Sequence, residues 1–381
     1  MWYLEADTLF LLLIASMSMI LFSALSRLIF KRDLGPKVLF LANVAVIGII
    51  SWQLLLWSLG YIIITYILIT HLTHVKHGRK GLFVIYCLLA TIPFFYGRMN
   101  EFFPQLPVFI AFIGIAYHML KAIDAMYFVY YTGMKIPFFT YLNYILFFPT
   151  FTAGPIFRYR DWLKVYTNPQ PLTLDSFIVY IKRFIKGMFK KMVVLWFVTS
   201  VFSRILELDL TWYWSLALVV LSYITVYLDL SGYSDIAIAT GSAMGYTVPE
   251  NFRKPLSSAS FTVFWRNWHI TLSDWVREHI FVVLNGKRLG RIASAFVGFA
   301  TMFVMEMWHG FTFPYIIGGI YNGLCLGLEN LFGLTKADKR KMNKVLYVIR
   351  CILVNFAFAV NTLIFTVTPE QFMDILHSFI G

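Results

Sequence analysis

Charge is scarce in this sequence. Asp, Glu, Lys and Arg make up 13% of its 381 residues, where a soluble globular chain carries roughly a quarter. With 59% apolar residues and a mean hydropathy of +0.72, that shortage excludes an ordinary water-soluble domain. Cysteine is scarcer still. Cys87, Cys325 and Cys351 stand apart in apolar stretches, without a disulfide framework or a ligand spacing, and read as small buried hydrophobes. The sequence has no GxSxG elbow, Walker loop, dinucleotide fingerprint or HExxH pair, so the common signatures of hydrolases, nucleotide-driven enzymes and zinc proteases are absent. It has no long polar linker, low-complexity segment or internal repeat, and one membrane domain over residues 1–381 is predicted.

What is there is apolar length. Runs near the 20 or so residues that cross a bilayer recur at 8–30, 38–56, 57–75, 81–97, 106–131, 139–153, 174–204, 211–229, 292–309, 313–333 and 345–368. They predict an all-α, polytopic integral membrane protein with about 9–11 transmembrane or re-entrant helices. The first run lacks a basic flank and a small-residue cleavage site, so it is expected to be a retained span. The net charge of +13 lies in short loops, where it sets orientation rather than marking a nucleic-acid surface. The clusters are Lys31, Arg32 and Lys37; Lys76, Arg79 and Lys80; Arg158, Arg160 and Lys164; Lys182 to Lys191; Arg253 to Arg291; and Lys336 to Lys344. Placing all of them in the cytoplasm, against anionic lipids, puts both termini outside.

Two stretches break the spanning pattern. Residues 182–191 alternate basic and apolar side chains near helical period and predict an amphipathic interfacial helix that runs into a span. Residues 264–279 set Trp265, Trp268 and Trp275 among Arg, His, Asp and Glu, suited to interfacial helices or to helices dipping into a polar cavity. Gly319, Gly323 and Gly327 recur every fourth residue and predict close helix packing. His71, His74 and His77 recur every third residue beside basic side chains, with no carboxylate or cysteine near. They read as a solvated helix end, and no metal site is expected. His118 and His377 stand alone.

The chemistry concentrates elsewhere. His309 ends an apolar run in Met-Glu-Met-Trp-His-Gly. An ionisable group there faces a cavity, a partner or a substrate path, unless a helix neighbour satisfies a neutral imidazole. Asp229, Ser231, Tyr233, Ser234 and Asp235 crowd the end of another run, where two carboxylates are expected to line an internal polar pocket. A Pro-bounded polar loop follows at 249–255, and then His269. Residues 148–156 carry Pro149, Gly154 and Pro155 inside an apolar region, a helix break of the kind tolerated where it is buried or lines a path.

These motifs, in this order, resemble the membrane-bound O-acyltransferase family: Phe-Pro-Thr-Phe-Thr-Ala-Gly-Pro at 148–155, Asp-Leu-Ser-Gly-Tyr-Ser at 229–234, Phe-Trp-Arg-Asn-Trp-His-Ile-Thr-Leu-Ser at 264–273 and Trp-His-Gly at 308–310. The resemblance covers about residues 105–370, and the spans over 1–104 match in hydropathy alone. Residues 147–150 and 156–160 look like the branch that carries D-alanyl groups to teichoic acid, whereas 231–235 and 250–252 look nearer the alginate and peptidoglycan O-acetyltransferases. Three features depart from the family, one of them the conservative Arg277-Glu278 where Arg-Asp is usual. Glu306 stands where a small residue is usual, three positions before His309, placed to orient the imidazole, to strengthen it as a base or to pair elsewhere. Arg266-Asn267 precedes Trp268 where the branches have Asn-Arg or Arg-Arg.

The resemblance implies helices around a central tunnel and acyl transfer across the membrane. The donor would be a phosphopantetheine thioester on an acyl carrier protein at the cytoplasmic face. The acceptor would be a hydroxyl of an extracellular polymer such as teichoic acid, and a small single-span membrane protein is a further candidate partner. His309 is expected to be the general base, with His269 positioning the acceptor or stabilising the oxyanion. Asp229, Tyr233, Ser234, Arg266, Asn267, Trp268, Trp308 and Glu306 are expected to bind substrate or line the tunnel. O-acetyl transfer is the alternative activity. A transporter or channel is the rival class, because ion pathways also use polar residues in broken helices.

Overall fold

The structure, a computed structural model, describes residues 14, 17, 18, 21, 35–75, 77–99, 103, 114–285, 290–337 and 342–380. The first predicted span, and Lys31, Arg32, Lys76 and Arg288, lie outside the described residues or mostly so. Among the described residues the regular structure is helical, with no β-strand. α1 (Gly35–Ile50) and α2 (Trp52–His74) part at Ser51, earlier than hydropathy suggests, because the Ser51 Oγ accepts the Leu54 amide at 3.2 Å and N-caps α2. Then come α3 (Arg79–Met99), α4 (Ile115–Thr132), α5 (Phe138–Leu146) and α6 (Tyr159–Thr167). α7 (Leu174–Phe189) runs through a π-helical turn (Lys190–Val194) into α8 (Leu195–Leu206), followed by α9 (Trp212–Ala243). α10 (Phe261–Trp265) and α11 (Ile270–Val276) are short, and a second π turn (Arg277–Phe281) leads to α12 (Val282–Asn285). α13 (Arg291–His309), α14 (Phe313–Leu331), α15 (Lys344–Thr366) and α16 (Pro369–His377) close the order. Five of these are long and apolar enough to cross a membrane: α2, α3, α9, α13 and α15.

The chain forms two compact units. One comprises Met1–Ile185 with Asp235–Pro249, the other Lys186–Ser234 with Glu250–Gly381. In the first, α4 is buried along most of its length and turns His118, Lys121 and Asp124 inward. α5 stops at Leu146, short of the predicted span over 139–153; its nine residues cover roughly 14 Å, about half the hydrocarbon core. A 3-10 turn at Phe148–Thr150 and Gly154 at φ 90 complete the predicted break. The backbone acceptors this break exposes are met by Lys121, whose Nζ donates to the carbonyls of Tyr144 and Thr150, both at 3.2 Å. Asp124 accepts the Tyr159 amide and lies 3.8 Å from Arg158. His118 bonds the Gly114 carbonyl at 2.8 Å and sits buried against Trp57, Tyr61 and Phe151.

In the second unit α13 and α14 form an antiparallel hairpin. A Cβ on Gly327, Gly323 or Gly319 would stand 3.2 Å from the Ala295 carbonyl, 2.8 Å from Phe299 or 3.0 Å from Phe303. The predicted small-residue face is thus the seam along which the two backbones approach. α15 packs on the Trp212–Ser234 part of α9, with Ser222 Oγ 2.9 Å from Thr362 Oγ1 and the Tyr223 hydroxyl donating to Asn355 at 3.0 Å. Predicted to end near 229, α9 instead continues to Ala243, where Gly245 at φ 93 follows. Residues 229–234 are therefore mid-helix. No proline interrupts the helix there.

Candidate active site

His269 sits on an elbow between two short helices. α10 is fixed at its start from two sides. Ser260 Oγ accepts the Val263 amide at 3.1 Å, and the Glu329 carboxylate of α14 accepts the amides of Phe261 and Thr262 at 2.6 and 2.8 Å. A carboxylate suits those unsatisfied N–H groups, which carry the positive end of the helix dipole. After Trp265 the chain turns, and Trp268 buries its ring against Phe264 at 5.5 Å, Phe358 at 4.7 Å and Tyr223 at 5.5 Å. His269 then adopts φ 44, ψ 50, a left-handed conformation that costs a non-glycine residue roughly 1–2 kcal/mol.

Asn251 holds this conformation in place. Its carbonyl accepts the Ile270 amide at 2.9 Å, and its Oδ1 accepts the amide and hydroxyl of Thr271 at 3.2 and 2.9 Å. His269 gives α11 no side-chain cap, so Asn251 caps that helix from a distant loop. Its Nδ2 donates to Ser234 Oγ at 3.2 Å, tying the elbow to α9. The imidazole itself is 7% exposed, with its Nδ1 buried and unpartnered. Lying outside the spanning helices, it is driven by burial down to about 4, so at neutral pH the ring is uncharged.

His309 is the last residue of α13 and is exposed, its ring edge-on to Trp308 at 4.7 Å. The chain leaves the helix through Gly310, where a Cβ would fall 2.3 Å from the Tyr315 ring; only glycine lets α14 start so close. One turn earlier Glu306 points into the α13–α14 seam, where Asn322 Nδ2 donates to it at 2.7 Å.

A cavity of about 240 Å³ opens between the elbow and this hairpin. Trp265, Arg266, Ser273 and Arg277 line it from the His269 side, and Thr301, Met302 and Met305 from the helix that carries His309. The two imidazoles are not among its lining residues, but the elements that carry them build it together. On its lining, Arg277 donates to Asp274 at 2.7 Å.

The other sequence-predicted residues divide. Arg266 lines the cavity. Asn267 donates to Ser258 at 3.2 Å and Trp268 is a core anchor, so both shape the elbow. Asp229 is ion-paired: Lys191 donates to it at 2.6 Å and lies 6.0 Å from the centre of the Tyr233 ring. Lys191 is itself buried, 5% exposed, rather than part of a solvated basic cluster, because this carboxylate compensates its charge. Asp235, in the other unit, is likewise ion-paired, with Arg183 at 3.0 Å. Ser234 supports the elbow through Asn251. Sequence reasoning missed Asn251, Glu329 and Lys191 as site-forming residues. Only the Pro-bounded loop around Asn251 gave any signal.

Comparison with known proteins adds the following. The family model of MBOAT, the membrane-bound O-acyltransferase family, matches residues 82–367. The probable alginate O-acetylase of Pseudomonas putida is 34% identical over 231 residues, 60% of this chain and 47% of that protein. The teichoic acid D-alanyltransferase of Bacillus subtilis is 29% identical over 329 residues, 80% of this chain and 78% of that one. The peptidoglycan O-acetyltransferase of Helicobacter pylori is 30% identical over 207 residues, 51% of this chain and 38% of its own length. The chain spans about half the length of the alginate O-acetylases it matches.

Proposed function

This chain belongs to the membrane-bound O-acyltransferase family and has several helices long and apolar enough to cross a membrane, and we propose that it is an acyltransferase that moves D-alanyl from a carrier-protein thioester to a hydroxyl of an extracellular polymer such as teichoic acid. The match over 80% of this chain and 78% of a D-alanyltransferase supports this choice of acyl group. The observation that carries the reading of the site is the cavity built jointly by the His269 elbow and the His309 helix.

The thioester is already activated, so the enzyme has to deprotonate the acceptor and hold both partners in line. His309 takes the hydroxyl proton as the oxygen attacks the thioester carbon. The C–S bond breaks, the ester forms, and the proton passes to the departing thiolate. His269, neutral at working pH, serves through an uncharged N–H, orienting the acceptor or bonding the oxyanion. Arg266 and Arg277 suit the phosphate of a pantetheine arm, and the methionines of α13 suit its apolar length. We place the protein in a bacterial cytoplasmic membrane with both termini outside, its carrier protein at the cytoplasmic face and lipids around it. A small single-span protein would be a further partner. With Arg291 at the cytoplasmic end, α13 carries His309 roughly 27 Å across, to the outer side of the hydrocarbon.

The test is wall-polymer analysis for ester-linked D-alanine and acetate in a deletion strain complemented with wild type or His309→Ala. D-alanine esters that need His309 are expected. Full esterification by the mutant would overturn the assignment. Ester-linked acetate in place of D-alanine would favour O-acetyl transfer, which the 34% identity to alginate O-acetylases supports.

A further inference from the structure

Glu306 is 4% exposed, inside the spanning helix α13. Asn322 of α14 donates to it at 2.7 Å, and the Asn361 side chain of α15 also reaches it. Gly319 makes the room, since a Cβ there would lie 3.3 Å from that of Glu306. None of these neighbours is charged. On α14 and α15, Glu329 faces α10 and Arg350 donates to the Leu334 carbonyl. On its own helix the titratable neighbour is His309, one turn on.

Hydrogen-bond accounting then becomes decisive. The Oδ1 atoms of Asn322 and Asn361 are both buried and both without a donor. An ionised carboxylate can only accept, so it leaves both amide oxygens orphaned and adds an uncompensated charge in the interior. A protonated carboxyl supplies an O–H and removes the charge.

We propose that Glu306 holds a proton and donates it to an amide oxygen of Asn322 or Asn361, forming a neutral acid–amide lock that joins α13, α14 and α15 and positions His309. The lock stands on the geometry alone; its service to His309 rests on the reading of His309 as the base. The lock keeps charge away from the imidazole while pinning the last turn that carries it.

Infrared difference spectroscopy of purified wild type against Glu306→Gln at neutral pH reads the proton directly. The expected result is a protonated-acid carbonyl band that the variant lacks, and a carboxylate pair of bands in its place would overturn the lock. Glutamine supplies both a donor and an acceptor, so Glu306→Gln should keep kcat and KM within a few fold. Glu306→Ala should lose about a hundredfold in kcat at unchanged KM, the scale of roughly 1 Å of misplacement. If Glu306→Gln is as impaired as Glu306→Ala, the carboxyl acts through its charge and the positioning role fails. Should no acyl transfer be found at all, the infrared result still decides the lock.

Discussion

Replacing Asn251 with alanine removes three side-chain hydrogen bonds, two from Thr271 and one to Ser234. Both partner residues are buried, 6% and 3% exposed, so water cannot easily stand in. At about 1 kcal/mol for each bond the loss is about 3 kcal/mol, and it falls on the contacts that hold the left-handed backbone of His269. The elbow should relax toward ordinary dihedrals and carry the imidazole away from its working position. Acyl-transfer rate should fall about a hundredfold, together with a lower unfolding midpoint in detergent. The rate should be taken on protein reconstituted into vesicles, with His269→Ala as the reference for full loss. Wild-type rate and midpoint in Asn251→Ala would refute the idea that this side chain holds the elbow.

Acid should weaken the fold through His269. The imidazole titrates near 6.5 in the unfolded chain and near 4 when folded, so between those values the unfolded chain binds more protons. The contribution is fully present above about pH 6.5 and drains as pH falls toward 4, by about 3 kcal/mol. His269→Gln should unfold with a shallower acid dependence over that window, and an unchanged dependence would count against burial as the cause. Lys191→Met should destabilise by about 3 kcal/mol by stranding Asp229, whereas adding Asp229→Leu should restore much of it. A double mutant no better than the single would show that the pair is not coupled.

The apolar helices nearest the site were legible. α13, α14 and α15 end within two residues of their apolar runs, because hydropathy and helix length describe the same thing in lipid. The glycine face of α14 was legible for the same local reason. α9 was not, since polar residues at 229–235 resemble a helix end until their partners are seen. Lys191 comes from 38 residues earlier, and no periodic signal carries that distance. The site divides the same way. His269 and His309 stand out as motif residues, whereas Asn251 and Glu329 act across 20 and 67–68 residues through hydrogen bonds that leave no trace in composition. Glu306 was visible as an anomaly, and its amide partners were not.

Lys121 also constrains how the protein is made. Its ammonium is bonded to oxygens 23 and 29 residues downstream, which are still inside the ribosome when α4 leaves it. A lone lysine or aspartate in a helix costs about 2.5–3.5 kcal/mol to insert, and α4 carries both Lys121 and Asp124. The translocon therefore meets a helix that is unfavourable alone and favourable once the turn at Phe148–Thr150 arrives. The unit of insertion is α4 together with α5 and that turn, and synthesis halted between them should leave α4 outside the lipid.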